Sequence, residues 1–132
     1  MARVPVRSRR RTRVTEARFR TIALAKKGAV EGAHRDHPDF RVEGRIFATL
    51  HQDGKYGMVK STPEQQQAFI RDQPAAFTPE DGAWGRQGCT AVLLEAVDED
   101  ALGDALTLAW RNAAERRAPK KRARRPNTGS QT

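Results

Sequence analysis

The sequence predicts an α+β domain of two layers, an antiparallel β-sheet with helices packed mainly on one face. Three observations predict it. The element signals run helix, strands, helix, strand, helix, the order of a sheet with segregated helices rather than of alternating parallel units. The strand signals in the first half are separated by the short turns Glu43-Gly44 and Asp53-Gly54, which join antiparallel neighbours. The final helical segment carries its apolar residues at three- and four-residue spacings, so it has one face to bury. With 132 residues and 37% hydrophobic content, concentrated in the middle of the chain, one domain with one core is expected.

Taken in order, Thr15 caps a first helix with Glu16 in its opening turn. Phe19, Ile22 and Ala23 share a face there, and Lys26-Lys27-Gly28 stops it. Phe40 and Val42 form a strand before Glu43-Gly44. In the next strand Ile46, Ala48 and Leu50 alternate with Phe47, Thr49 and His51, and Tyr56, Met58 and Val59 belong to a third, giving a meander. Thr62-Pro63-Glu64-Gln65 is a helix start: Thr62 caps, Pro63 takes the first helical position and Gln65 closes a capping box, with an end near Asp72. Phe77 to Gly88 is a Gly-rich aromatic stretch. Cys89 to Ala96 is the strongest strand signal, apolar in both phases and therefore central. A last helix starts near Asp98 and buries Leu102, Ala105, Leu106, Ala109, Trp110 and Ala113.

Charge is unevenly spread. The formal net charge is +9, yet residues 1–20 carry +7 and residues 111–132 carry +7, while residues 21–110, with nine basic and fourteen acidic side chains, carry −5. Residues 1–14 and 118–132 hold too few apolar side chains to offset the entropy of ordering them. They are expected to be disordered basic tails around a domain at 15–117. No apolar run approaches the roughly 20 residues of a membrane span, and no apolar core follows the basic start as a signal peptide requires. One cysteine, Cys89, cannot form an intramolecular disulfide, so a reducing cytoplasm is the expected setting.

Motifs of catalysis are missing: there is no nucleophile elbow, no His-Glu-x-x-His, no P-loop and no dinucleotide fingerprint, so no enzyme and no cofactor are expected. Cys89 sits at the entry of an apolar strand and is expected to pack rather than react. His34, His37 and His51, with Asp36 and Asp39, make a weak ligand set, better taken as loop and strand-surface residues, so no metal is expected.

Several separated blocks resemble one family. They are His37-Pro38-Asp39-Phe40-Arg41-Val42, Gly44 through Leu50, Lys60 with Pro63-Glu64, Trp84-Gly85, Gly88 before Thr90-Ala91-Val92-Leu93-Leu94, and Ala105-Leu106 with Ala109-Trp110-Arg111-Asn112. Together, over residues 15–116, the chain resembles the MmcQ/YjbR family. It departs at Cys89, where that family is expected to carry Trp. The resemblance implies a frataxin-like (CyaY-like) architecture and DNA binding through a double wing of β-hairpins. Iron binding, which the frataxin fold raises, is opposed by the cationic first helix with Arg18, Arg20, Lys26 and Lys27.

The functional expectation is a nucleic-acid-associating protein, with DNA as partner. Arg9, Arg10, Arg11 and Arg13 and Lys120, Lys121, Arg122, Arg124 and Arg125 would neutralise phosphates from the tails. Arg41 and Arg45 at one hairpin, Lys55 at the next, Lys60, and Arg86 beside Trp84 would make contacts from the core. Trp84 and Trp110 are expected as core or lid aromatics rather than stacking platforms. The rival is an adaptor for a protein or small ligand, using the groove between the sheet and the Trp84 loop. A monomer is assumed.

Overall fold

The computed structural model describes residues 14–34 and 37–116. Thr15 caps α1 (Glu16–Leu24) by accepting the Arg18 N–H, as expected. Val14, just before the expected 15–117 domain, is buried, and its N–H donates to the Leu94 carbonyl. The next strands are β1 (Val30–His34), β2 (His37–Val42), β3 (Arg45–Leu50) and β4 (Tyr56–Lys60). They are followed by α2 (Pro63–Asp72), β5 (Phe77–Pro79), α3 (Gly82–Arg86), β6 (Cys89–Leu93) and α4 (Glu99–Arg116). The six strands make one sheet in the order β1-β2-β3-β4-β6-β5, every neighbouring pair antiparallel. This is the expected α+β class.

Two rows of paired residues define the covered face. Phe40, Ala48, Val59 and Thr90 run across four strands, and Leu50, Gly57, Val92 and Phe77 make the next row. Helix α4 packs on β2, β3 and β4 and places Leu102, Leu106 and Ala109 on this face, with α1 against α4 bringing Phe19. Phe69 of α2 stacks on Phe77 at 5.1 Å. A fully buried side chain of this size stabilises by about 1.5–3 kcal/mol, so the two rows and α4 carry much of the folding energy.

Five elements differ from expectation. Strand β1 and the β5–α3 pair lie where no element was predicted, and β6 stops at Leu93, after which Leu94 to Val97 turn while still burying Leu94 and Val97. Strand β3 also changes phase. Phe40 pairs with Ala48 but Arg41 pairs with Ile46, so Phe47 is an inserted bulge residue. Phe47 and Ala48 are thus both buried, against the expected alternation, and Ile46, which alternates in phase with Ala48, turns to the other side.

That other face carries the row Gly32, Asp39, Thr49, Met58, Ala91 and Thr78, flanked by Arg41, Ile46 and Lys60. Among the described residues no long helix lies on it and α3 alone approaches, with Trp84 over Met58 and Thr49.

Candidate functional site

The β2–β3 turn puts Glu43 and Gly44 at φ 54° and 77°, the positive values of a two-residue hairpin loop. This turn aims Arg41 and Arg45 toward the point where β3 and β4 separate, because the two strands pair only from Ala48–Val59 to Leu50–Gly57. Beyond that point the strand ends splay. The gap is a groove of about 900 Å³, walled by Arg41, Arg45 and Ile46 on one side and Lys60 to Pro63 on the other, with Ala109, Asn112 and Glu115 of α4 at its floor.

The walls are pinned from within. Thr62 and Gln65 form the predicted capping box, and the Asn112 amide donates to the Lys60 carbonyl at 3.2 Å and to Gln65 Oε1 at 2.8 Å. Ser61 Oγ donates to the Gly88 carbonyl at 2.5 Å and lies 2.8 Å from Thr90 Oγ1. From α2, the Gln66 amide donates to the carbonyls of Gly85 and Cys89 at 3.0 and 2.9 Å, tying α3 to β6. Buried polar groups satisfied in this way hold one geometry.

The five core cations do not converge as a set. Arg45 and Lys60 share the groove, and neither forms an ion pair among the described residues. Arg41 also lines it, but its Nε and Nη2 donate to Asp39 at 2.8 and 3.0 Å. Asp39 is fully buried, and its hydrogen bonds and charge raise the pKa of the Arg41 guanidinium above its ordinary value. Lys55 is elsewhere. It lies at the β3–β4 turn, a strand length of about 20 Å from the β2–β3 turn. Its recess includes Glu16 and Glu95, and the Lys55 N–H donates to Asp53 Oδ1 and holds that carboxyl below its ordinary range. Arg86 is exposed at the end of α3 and lines neither the groove nor that recess. Successive hairpins of a meander point in opposite directions, so the Arg41/Arg45 tip and the Lys55 tip do not form one pair of wings. Arg9, Arg10, Arg11, Arg13, Lys120, Lys121, Arg122, Arg124 and Arg125 fall outside the described residues.

Beside the groove, on the open face of the sheet, is a hollow of about 340 Å³ that shares Ile46 and Lys60 with it. Met58, Thr49, His37 and Trp84 line it, and His51 Nε2 meets Glu80 Oε2 at 2.8 Å in its wall. The hydrogen bond to Glu80, against the opposing effect of burial, raises the His51 pKa above its ordinary value, with the charges of Glu80, Asp53 and Asp81 adding to it. Trp84 is 57% exposed, so of the core or lid positions expected it takes the lid one. Lys60 Nζ sits 5.3 Å from its ring centroid. Trp110 does pack as expected, donating its indole N–H to the Lys27 carbonyl at 2.8 Å.

Cys89 is buried, and burial pushes its thiol pKa up, which disfavours the thiolate a nucleophile needs. Among the described residues no three His, Cys, Asp or Glu side chains gather to hold a metal ion, and no helix is long and apolar enough to cross a membrane. Sequence reasoning named Asp39 only within a weak metal-ligand set and missed Glu80 and Gln66. Asp39 precedes Arg41 by two on one strand, which was a usable signal for their pair; Glu80 and Gln66 act across 19 to 29 residues of chain and had none.

The comparisons with known proteins agree with this architecture. The family model YjbR matches residues 24–112, the span from the end of α1 to Asn112, which contains both walls of the groove and the hollow. Among solved structures, the crystal structure of the Deinococcus radiodurans protein DR2400, with family-model domain DUF419, is similar at a TM-score of 0.62 and 19% identity, covering 84% of this chain and 83% of that one. At that identity the likeness concerns the fold. No curated protein matches the chain. The match over more than half of its length shows that the chain belongs to the YjbR family.

Proposed function

We propose that this chain associates with nucleic acid by holding backbone phosphates in the groove, with Arg45 and Lys60 as the main contacts and Arg41 as a lesser one. One observation carries the proposal: two cations fifteen residues apart in sequence reach one concavity without an ion-pair partner among the described residues. An anion supplies what they lack, and a polyanion supplies it repeatedly. The basic clusters near both termini would add contacts that do not read sequence. The groove replaces the double wing as the core's contribution. The surface is a binding site rather than a catalytic one, in a reducing cytoplasm that suits a chain with a single buried thiol. A frataxin-like layering belongs to the same proposal, supported by α1 and α4 packing on one side of an antiparallel sheet.

The test is the salt dependence of oligonucleotide binding, read by fluorescence anisotropy on the full chain. Each phosphate contact contributes about 0.7 to 0.9 to the slope of log affinity against log salt. Arg45→Gln with Lys60→Gln should lower the slope by about 1.5, whereas Lys55→Gln, about 20 Å away, should leave it unchanged. If Lys55→Gln weakens binding as much as the pair does, the groove is not the contact. The largely apolar hollow favours a second reading, an adaptor for a small ligand. In that case affinity would change little with salt.

A further inference from the structure

We propose that the hollow beside the groove receives an unstacked nucleobase, so that the chain prefers single-stranded to duplex nucleic acid. The inference rests on the phosphate-binding proposal and deepens it by naming the form of the polyanion.

The two concavities form one surface, since Ile46 and Lys60 belong to both. A nucleotide has the matching two-part chemistry, a flat ring beside an anion. At about 340 Å³ the hollow lies at the small end of ligand sites, suited to one ring system and far too small for a base pair in its stack. Its lining offers Met58 and Ile46 as apolar surface and the indole of Trp84 as a flat wall. The His51–Glu80 pair supplies polar atoms at the ring's edge.

Trp84 is where a folded protein has least reason to leave a tryptophan, on a five-residue helix and 57% exposed. It is nonetheless held in place. The Gln66 amide holds the Gly85 carbonyl next to it, and the Lys60 ammonium lies over its ring. A positioned, exposed indole is a stacking platform, and the ammonium over it, 5.3 Å from the centroid, would shift onto the phosphate of a nucleotide whose base stacks there. Charge complementarity therefore continues from the groove into the hollow. A duplex keeps its bases paired and stacked and can offer only its phosphates. A single strand can turn a base outward at little cost.

The experiment compares a labelled single-stranded oligonucleotide with a hairpin duplex of the same sequence at one salt concentration. It uses the full chain and its Trp84→Ala and Trp84→Phe variants. Wild type should bind the single strand about ten-fold more tightly, and Trp84→Ala should abolish that preference while leaving duplex affinity and salt slope unchanged. Trp84→Phe keeps a ring and should retain most of the preference. Tryptophan fluorescence should be quenched by the single strand in wild type and not in Trp84→Ala, where Trp110 alone remains. Equal affinity for the two forms, unaffected by Trp84→Ala, overturns the base hollow and leaves the phosphate groove standing. No binding of either form at low salt overturns both. A nucleoside monophosphate that binds as tightly as the oligonucleotide overturns the strand as occupant.

Discussion

Replacing Gly88 by Ala tests the junction that builds the groove. Gly88 enters β6 at φ +113°, where side chains other than glycine are strained. A Cβ there would also overlap the Ser61 carbonyl oxygen and lie 2.6 Å from the Thr62 carbonyl carbon and 2.8 Å from Pro63 N. All three neighbours are backbone, so relief requires moving the Lys60 to Pro63 wall itself. Strain of about 1–2 kcal/mol and overpacking of about 1–3 kcal/mol together suggest a loss of about 3 kcal/mol, a large part of a typical domain's stability. For a domain of this size that corresponds to a fall in melting temperature of about 15 °C. Gly44→Ala is the control: φ is +77°, but nothing lies within 4 Å of its Cβ position. Strain alone remains, about 1 kcal/mol and about 5 °C. Thermal unfolding of the two variants by circular dichroism separates the terms. Equal losses in the two would refute the close approach of β6 to the β4–α2 junction.

Gln66→Leu removes two buried hydrogen bonds that tie α3 to β6, and urea unfolding should register a loss of about 1–3 kcal/mol. Glu43→Asn places a residue that tolerates positive φ at the hairpin turn and removes a carboxylate next to Gly44, which lines the groove. It should tighten oligonucleotide binding, as read by anisotropy at low salt. The raised His51 pKa means that the folded state binds the imidazole proton more tightly than the unfolded state. The stabilisation is therefore complete below the ordinary histidine range and is lost as pH rises through the folded value. His51→Gln should accordingly cost stability in mildly acidic buffer and little in alkaline buffer, as followed by melting temperature against pH.

What the sequence made legible were features written into adjacent residues. Thr15, the Thr62 to Gln65 box, the Glu43-Gly44 and Asp53-Gly54 turns and the spacing along α4 are local signals, and all of them formed. The misses have tertiary causes. Strand β1 reads Val-Glu-Gly-Ala-His, with little strand preference of its own, and exists because it pairs with β2. Strand β5 is three residues long and ends in Pro79, which is tolerated at a sheet edge, where one side of the strand needs no donor. The bulge at Phe47 breaks the expected alternation of Ile46, Ala48 and Leu50 with Phe47, Thr49 and His51, so that Phe47 is buried beside Ala48. For the site, Arg45 and Lys60 were named singly, but their meeting depends on the splay of β3 from β4, which no local pattern encodes. Trp84 was expected as a core or lid aromatic, and its exposure follows from the placement of α3 on the open face.

The central claim, that nucleic acid occupies the groove and the adjoining hollow, is tested most directly by mapping backbone amide shifts of the isotopically labelled chain during titration with a single-stranded oligonucleotide. The account predicts the largest changes at Arg45, Ile46, Lys60 and Ser61 and at the Trp84 indole. Changes confined to the Lys55 turn and the Val14 to Ala17 recess, or none in the folded domain at low salt, would contradict it.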